Sequence, residues 1–120
     1  MTTTLAQKTC TPCRGGIPPL DPEAAGRYLS ETPGWRLLDN GHRIERSFRF
    51  PDFRQSLDFV QRVGELAEEE GHHPDIAFGW GNATISLQTK KIKGLHENDF
   101  IMAVKINAIA AASGAQAHTL

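Results

Sequence analysis

Glu68-Glu69-Glu70-Gly71-His72-His73-Pro74 stands past the middle of this 120-residue chain, between a long helical pattern and an apolar hairpin pattern. Gly71 can end a helix, because glycine accepts positive φ without a Cβ clash. Pro74 fixes its own φ and biases His73 towards extended backbone. His72 and His73 are therefore expected on a short, rigid turn with their rings pointing different ways. Histidine is the side chain that most readily gives and takes protons near neutral pH. Two such rings held rigidly beside a pocket suit general acid–base chemistry. The plain alternative is a surface turn with two solvated rings, and the residues downstream argue against it.

Upstream, Pro51 opens a long helix. Phe53, Leu57, Val60, Gly64 and Ala67 recur at helical spacing, and Phe59, Val63 and Leu66 widen the stripe. The helix delivers Glu68 to Glu70 at its C-terminal end. Three acids there oppose the helix dipole, and their usual meaning is a solvated end. Beside His72, a carboxylate can also orient a ring. Downstream, Asp75 to Trp80 and Ala83 to Thr89 form a hairpin with Gly81-Asn82 as its turn. Lys90-Lys91-Ile92-Lys93-Gly94 is a basic connection. Leu95 to about Ser113 is a last helix with Phe100, Ile101, Val104, Ala108 and Ala111 as its inner stripe.

Asp21-Pro22-Glu23 reads as a helix start, with a capping carboxylate, proline at the first helical position and an acid in the first turn. Trp35 to Leu38 and His42 to Phe50 read as strands joined at Asn40-Gly41. In the second strand Ile44, Phe48 and Phe50 share one face, with Arg46 as an exception that ends the sheet or snorkels out. The order is helix, two strands, helix, two strands, helix. The fold class is α+β: one four-stranded antiparallel sheet with helices packed on one face. Val60, Val63, Phe78, Ile85, Leu87, Ile101 and Val104 are expected between sheet and helices.

The domain is expected over residues 21–113, with an extended N-terminal arm over 1–20 and a loose C-terminal tail over 114–120. Cys10-Thr11-Pro12-Cys13 in the arm lacks the buried strand that precedes a thioredoxin-type redox pair. It also lacks the second ligand pair that a zinc site needs. A poorly ordered leader is the favoured reading, although its Pro-rich part, through Pro18-Pro19, could dock as an extended strap. A net charge of −1 argues against a nucleic-acid backbone as partner. No apolar run approaches the length of a membrane span, and residues 1–20 lack the apolar stretch of a signal peptide. A cytoplasmic, reducing location is expected.

The pattern from Glu68 onward resembles the pterin-4a-carbinolamine dehydratase family. Its signature runs acidic residue, His-His-Pro, aromatic, His or Trp, Asp. Here these positions are Glu68, His72-His73-Pro74, Trp80, Lys90 and Asp99, with each spacing kept. Gly34-Trp35, Phe48-Arg49-Phe50 and Leu95 extend the resemblance. It implies this α+β fold, a homodimer or homotetramer, a pterin as ligand, no cofactor and no metal. It further implies that His72, His73 and the residue at position 90 are catalytic. Glu68, Pro74, Trp80 and Asp99 would contact or hold the substrate, with Glu68 orienting a histidine. Lys90 replaces the family histidine at the third catalytic position. An ordinary lysine offers no neutral base at pH 7, its reference pKa being about 10.4.

That replacement, together with the leader, resembles the dehydratase-like Rubisco assembly factors of α-carboxysomes. The first functional expectation is therefore a disrupted active site and a chaperone role towards the Rubisco large subunit, in a bacterial cytoplasm and in association with carboxysomes. The alternative is an active 4a-hydroxytetrahydrobiopterin dehydratase, a hydro-lyase that removes water from the pterin 4a-carbinolamine. A dimerisation cofactor for a transcriptional regulator is a weaker third option.

Overall fold

Three helices and four strands follow one another in the expected order in the computed structural model, which describes residues 4–11 and 15–113. They are α1 (Pro22–Leu29), β1 (Arg36–Leu38), β2 (Arg43–Arg49), α2 (Phe53–Glu70), β3 (Asp75–Gly79), β4 (Asn82–Leu87) and α3 (Glu97–Ala112). The sheet is antiparallel throughout, in the order β1-β2-β4-β3. The central pair is registered by Ile44 opposite Leu87, Arg46 opposite Ile85 and Phe48 opposite Ala83. Those residues line the inner face under α2 and α3. The other face carries polar pairs: the Ser47 and Thr84 hydroxyls are 2.9 Å apart, and Ser86 donates to Glu45.

Each helix starts where the sequence supplies a cap. Asp21 accepts from the Ala24 N–H, and Asp52 accepts from the Gln55 N–H at 2.9 Å. Helix α2 ends on Gly71, whose φ of +69° lets the Gly71 and His72 N–H groups both turn back to the Ala67 carbonyl. The first hairpin turns through four residues, 39–42. Asp39, Asn40 and Gly41 all take positive φ there, so the turn is longer than the Asn40-Gly41 pair alone.

The core agrees with the expected list at Val63, Ile85, Leu87 and Ile101 and departs from it at three positions. Val60 and Val104 are only half-buried, and Phe78 is 39% exposed. The deep row of α2 is Ser56, Phe59, Val63 and Ala67, the last three within the expected stripe; the row is centred on its widened side, which leaves Phe53 on the surface. On α3 the buried residues run from Asn98 to Ala103 and then Ile106 and Ala110, so Ala108 and Ala111 lie outside. Phe78 does share the inner face with Ile76. However, β3 is an edge strand and little lies above its end except Phe53, with ring centroids 5.7 Å apart. Arg46 is on the inner face and snorkels to the rim. It donates to the Pro33 carbonyl and to Asn107 Oδ1 while its guanidinium lies 4.6 Å from the Phe48 ring centre.

The N-terminal arm differs from a poorly ordered leader wherever it is described. A 3-10 turn at Leu5–Gln7 places Leu5 in the core at 4% exposure. Farther on, the Leu20 N–H donates to the Leu95 carbonyl, and Pro19 lies so close to Gly94 that a Cβ there would sit 2.5 Å from it. The end of the Pro-rich part, Pro19-Leu20, is thus docked, while residues 15–18 are exposed. Cys13 and the 114–120 tail lie outside the described residues. No helix among the described residues is long and apolar enough to cross a membrane.

Candidate active site

The turn after α2 and the start of α3 meet at one end of the β3–β4 hairpin. The α2 C-cap at Gly71 sends His72 inward, towards α3, and His73 outward. The His72 side chain is 11% exposed and that of His73 is 61% exposed. Pro74 then leads directly into β3.

Asp99 is the fixed point. It is fully buried in the first turn of α3, where it closes a capping box with His96. Its Oδ2 accepts from the His96 N–H at 3.0 Å and from the Thr89 hydroxyl at 2.8 Å. Its Oδ1 meets His72 Nε2 at 2.6 Å. A carboxylate accepting from these groups needs Nε2 to carry the proton, which leaves Nδ1 as the ring's acceptor. Thr89 is itself held, because its N–H donates to the Gly94 carbonyl at 2.8 Å across the loop that carries Lys90. In the sequence Thr89 stands only as the end of the second hairpin strand, with no role at the site. Its signal was only a small hydroxyl residue at a strand end, ten positions before Asp99.

His73 is held differently. Its Nε2 pairs with Glu68 Oε2, one turn back on α2, and both side chains face solvent. The expected orientation of a histidine by Glu68 thus has a geometric counterpart at His73. The three acids at the helix end divide their contacts. Glu68 takes His73, Glu69 is exposed, and Glu70 is bound to the N-terminal arm and to Lys105 at 3.3 Å.

An open cleft of about 510 Å³ lies between these elements, lined by Gly71, His72, His73, Gln88, Thr89, Lys90 and Lys91. Lys90 opens a short 3-10 turn, Lys90–Ile92, and is exposed at the rim. The chain therefore brings His72, His73 and Lys90 to one concavity, with Asp99 behind it and Glu68 and Pro74 adjoining. Trp80 is elsewhere. It stands on the β3–β4 turn, 71% exposed, one strand length or about 17 Å from the histidine end.

Among the described residues no group of three or more His, Cys, Asp or Glu side chains could hold a metal ion. Cys10 is half-buried. Burial first, and then the Glu70 carboxylate, push its thiol up to about 12, far from a reactive thiolate.

The sequence profile of the family described as pterin 4 alpha carbinolamine dehydratase matches residues 18–109. A protein of Azoarcus sp. (strain BH72) that carries the provisional name pterin-4-alpha-carbinolamine dehydratase is 64% identical, over 88% of this chain and 91% of its own. One of Cupriavidus pinatubonensis with the same provisional name is 61% identical, over 92% and 96%. Among solved structures, a transcriptional coactivator/pterin dehydratase from Brucella melitensis superimposes with a TM-score of 0.73 at 33% identity. It covers 77% of this chain and 98% of its own. A pterin dehydratase-like protein, described as a Rubisco assembly factor in the α-carboxysome, superimposes with a TM-score of 0.57 at 27% identity, over 64% and 89%.

Proposed function

Since the chain belongs to the pterin 4 alpha carbinolamine dehydratase family, we propose that its cleft removes water from a pterin 4a-carbinolamine by acid–base catalysis. One observation carries the reading: two imidazoles held in unlike ways, His72 on buried Asp99 and His73 on exposed Glu68, border the same cleft. Dehydration breaks the C4a–O bond, gives the departing oxygen a proton, and takes a proton from a ring N–H as a C=N bond forms. Water and a dihydropterin result, and the atoms balance without an oxidant. His72 Nδ1, backed by Asp99, is the acceptor of the ring proton. His73 in its protonated form, steadied by Glu68, donates to the oxygen. The Lys90 ammonium at the rim stabilises that oxygen as charge builds on it. A lysine in this place is a poor base at pH 7 but a competent electrostatic partner. The sequence favours a disrupted site, and the intact His72–Asp99–Thr89 chain favours a working one. Absorbance-monitored dehydration of an enzymatically generated 4a-carbinolamine tests this. Turnover well above the uncatalysed rate is expected, and a background rate would sink it.

A second reading keeps the fold and discards the chemistry: a Rubisco assembly factor acting on the large subunit, associated with carboxysomes. Its support is the likeness to the solved assembly factor together with Lys90 at the third catalytic position. Co-expression with Rubisco separates the two. A higher yield of assembled Rubisco, with no dehydration, favours the second reading. For either reading, the sheet edges at β1 and β3 give surfaces on which the expected homodimer or homotetramer could form.

A further inference from the structure

The family profile begins at residue 18, yet residues 4–11 of this chain are docked beside the cleft. The docking is specific. Asn98, 2% exposed, turns its whole amide to Thr11: the Thr11 N–H donates to Asn98 Oδ1 at 3.0 Å, and Asn98 Nδ2 donates to the Thr11 carbonyl at 2.7 Å. The Cys10 N–H donates to Glu70 Oε1 at 2.7 Å, and the Cys10 thiol approaches the Asn98 carbonyl at 3.7 Å. Lys8 pairs with Glu97 at 2.6 Å, where the Tyr28 hydroxyl also donates.

The partners lie immediately beside the groups that hold the cleft. Asn98 adjoins Asp99 in the first turn of α3, one side chain facing the arm and the next facing His72. Glu70 and His72 flank the Gly71 cap. The arm therefore bridges the same gap, from the end of α2 to the start of α3, that the His72–Asp99 bond bridges.

We propose that residues 4–11 are a positioning strap for the His72–Asp99 pair, with Asn98 and Glu70 as the positioning residues through which it acts. Its catalytic meaning rests on the dehydratase reading, but the geometry it fixes does not. The strap ties two backbone segments that also meet through the core, the Glu70–Lys105 pair and the His72–Asp99 bond, and it is the tie that reaches the residues next to Asp99 and His72 from outside the domain. Loss of one strap bond then loosens the His72–Asp99 contact while the sheet stays as it was.

The test uses the full chain and needs no substrate. Thr11→Pro removes the N–H donor to Asn98 at an exposed position and restricts the Cys10 backbone before it, so it releases the strap there, whereas Thr11→Ala keeps the donor and the backbone freedom. Solvent exchange of the His72 Nε2 proton is read by NMR, with the His73 ring and the sheet amides as references. Thr11→Pro should speed exchange at His72 about tenfold, the effect of one net hydrogen bond, and Thr11→Ala should leave it unchanged. The references should not move in either variant. Unchanged exchange at His72 in Thr11→Pro, with the Asn98 amide signals shifted to show the bond lost, would overturn the proposal. Equal acceleration at His72 and in the sheet amides would also overturn it, since that is general destabilisation. Neither outcome depends on whether the protein turns over a pterin.

Discussion

The two ends of the β3–β4 hairpin are built on opposite terms. At the histidine end polar side chains are buried and paired: Asp99 accepts from Thr89, His96 and His72, and Asn98 is satisfied by the strap. At the turn end apolar side chains are exposed: Phe53, Phe78 and Trp80 stand out from the domain. A buried carboxylate with three donors has one good arrangement, and any other leaves groups unpaired at roughly 1–3 kcal/mol each. Exposed rings have many arrangements of similar energy. The fold thus concentrates its geometric specificity at the end of the hairpin that borders the cleft.

The largest expected effect comes from removing the fixed point. Asp99→Ala strands the His96 N–H, the Thr89 hydroxyl and the His72 ring, so stability should fall by about 3 kcal/mol or more. Turnover should fall about 10²–10⁴-fold, the usual contribution of a positioned acid or base. Chemical denaturation and the dehydration assay measure the two losses. Retention of wild-type stability would mean that the two ends do not differ as described.

Lys90 should matter less, because it is exposed and touches only the rim. Lys90→Ala should lower kcat about tenfold, the worth of one charge-assisted hydrogen bond, with no change in melting temperature. Lys90→His should keep turnover at or above the unmodified level, since it supplies an imidazole beside the two already present. A Lys90→Ala variant with full kcat would remove the ammonium from the mechanism.

Acid should release the strap before the domain. Burial would raise the Glu70 carboxyl, but the Cys10 N–H and Lys105 outweigh it and hold it below the usual range. Burial is likewise outweighed at Glu97 by Lys8 and Tyr28. A carboxyl depressed in the folded state stabilises above its unfolded pKa, and that stability is lost as pH falls through the folded value. The contribution should therefore be intact at neutral pH and fade below the ordinary glutamate range. Amide exchange of residues 4–11 should accelerate there before that of β2 and β4. Simultaneous release would contradict this order. The smallest effect is expected at the other end: Trp80→Ala should change stability by less than about 0.5 kcal/mol.

Local signals made most of the fold legible in the sequence. Capping at Asp21 and the stop at Gly71 were readable because each acts within four residues, and the alternation in β2 and β4 gave the buried face. Phe78 shows the limit of that signal. Alternation reports which face a side chain takes, not how far the strand lies from the middle of the sheet, and β3 is at the edge. The docking of residues 4–11 was illegible for a related reason. Leu5 is a lone apolar residue in a polar run, and its burial depends on a surface of α3 that only the assembled fold creates. At the candidate site, the residues themselves pointed to His72 and His73 and the family resemblance to Lys90 and Asp99; the fold brings these four together but leaves Trp80, named by the same resemblance, a strand length away. Thr89 and Asn98 escaped because their role is set by partners ten and eighty-seven positions away.

The most direct test of the account pairs one residue from each end. The dehydration rate of His72→Ala and of Trp80→Ala should be compared with that of the unmodified protein at the same pterin concentration. The account predicts turnover in the unmodified protein, a loss of about 10²-fold or more in His72→Ala, and a rate within about twofold of the unmodified one in Trp80→Ala, whose ring lies a strand length from the cleft. Equal losses in both variants, or a background rate in the unmodified protein, would contradict it.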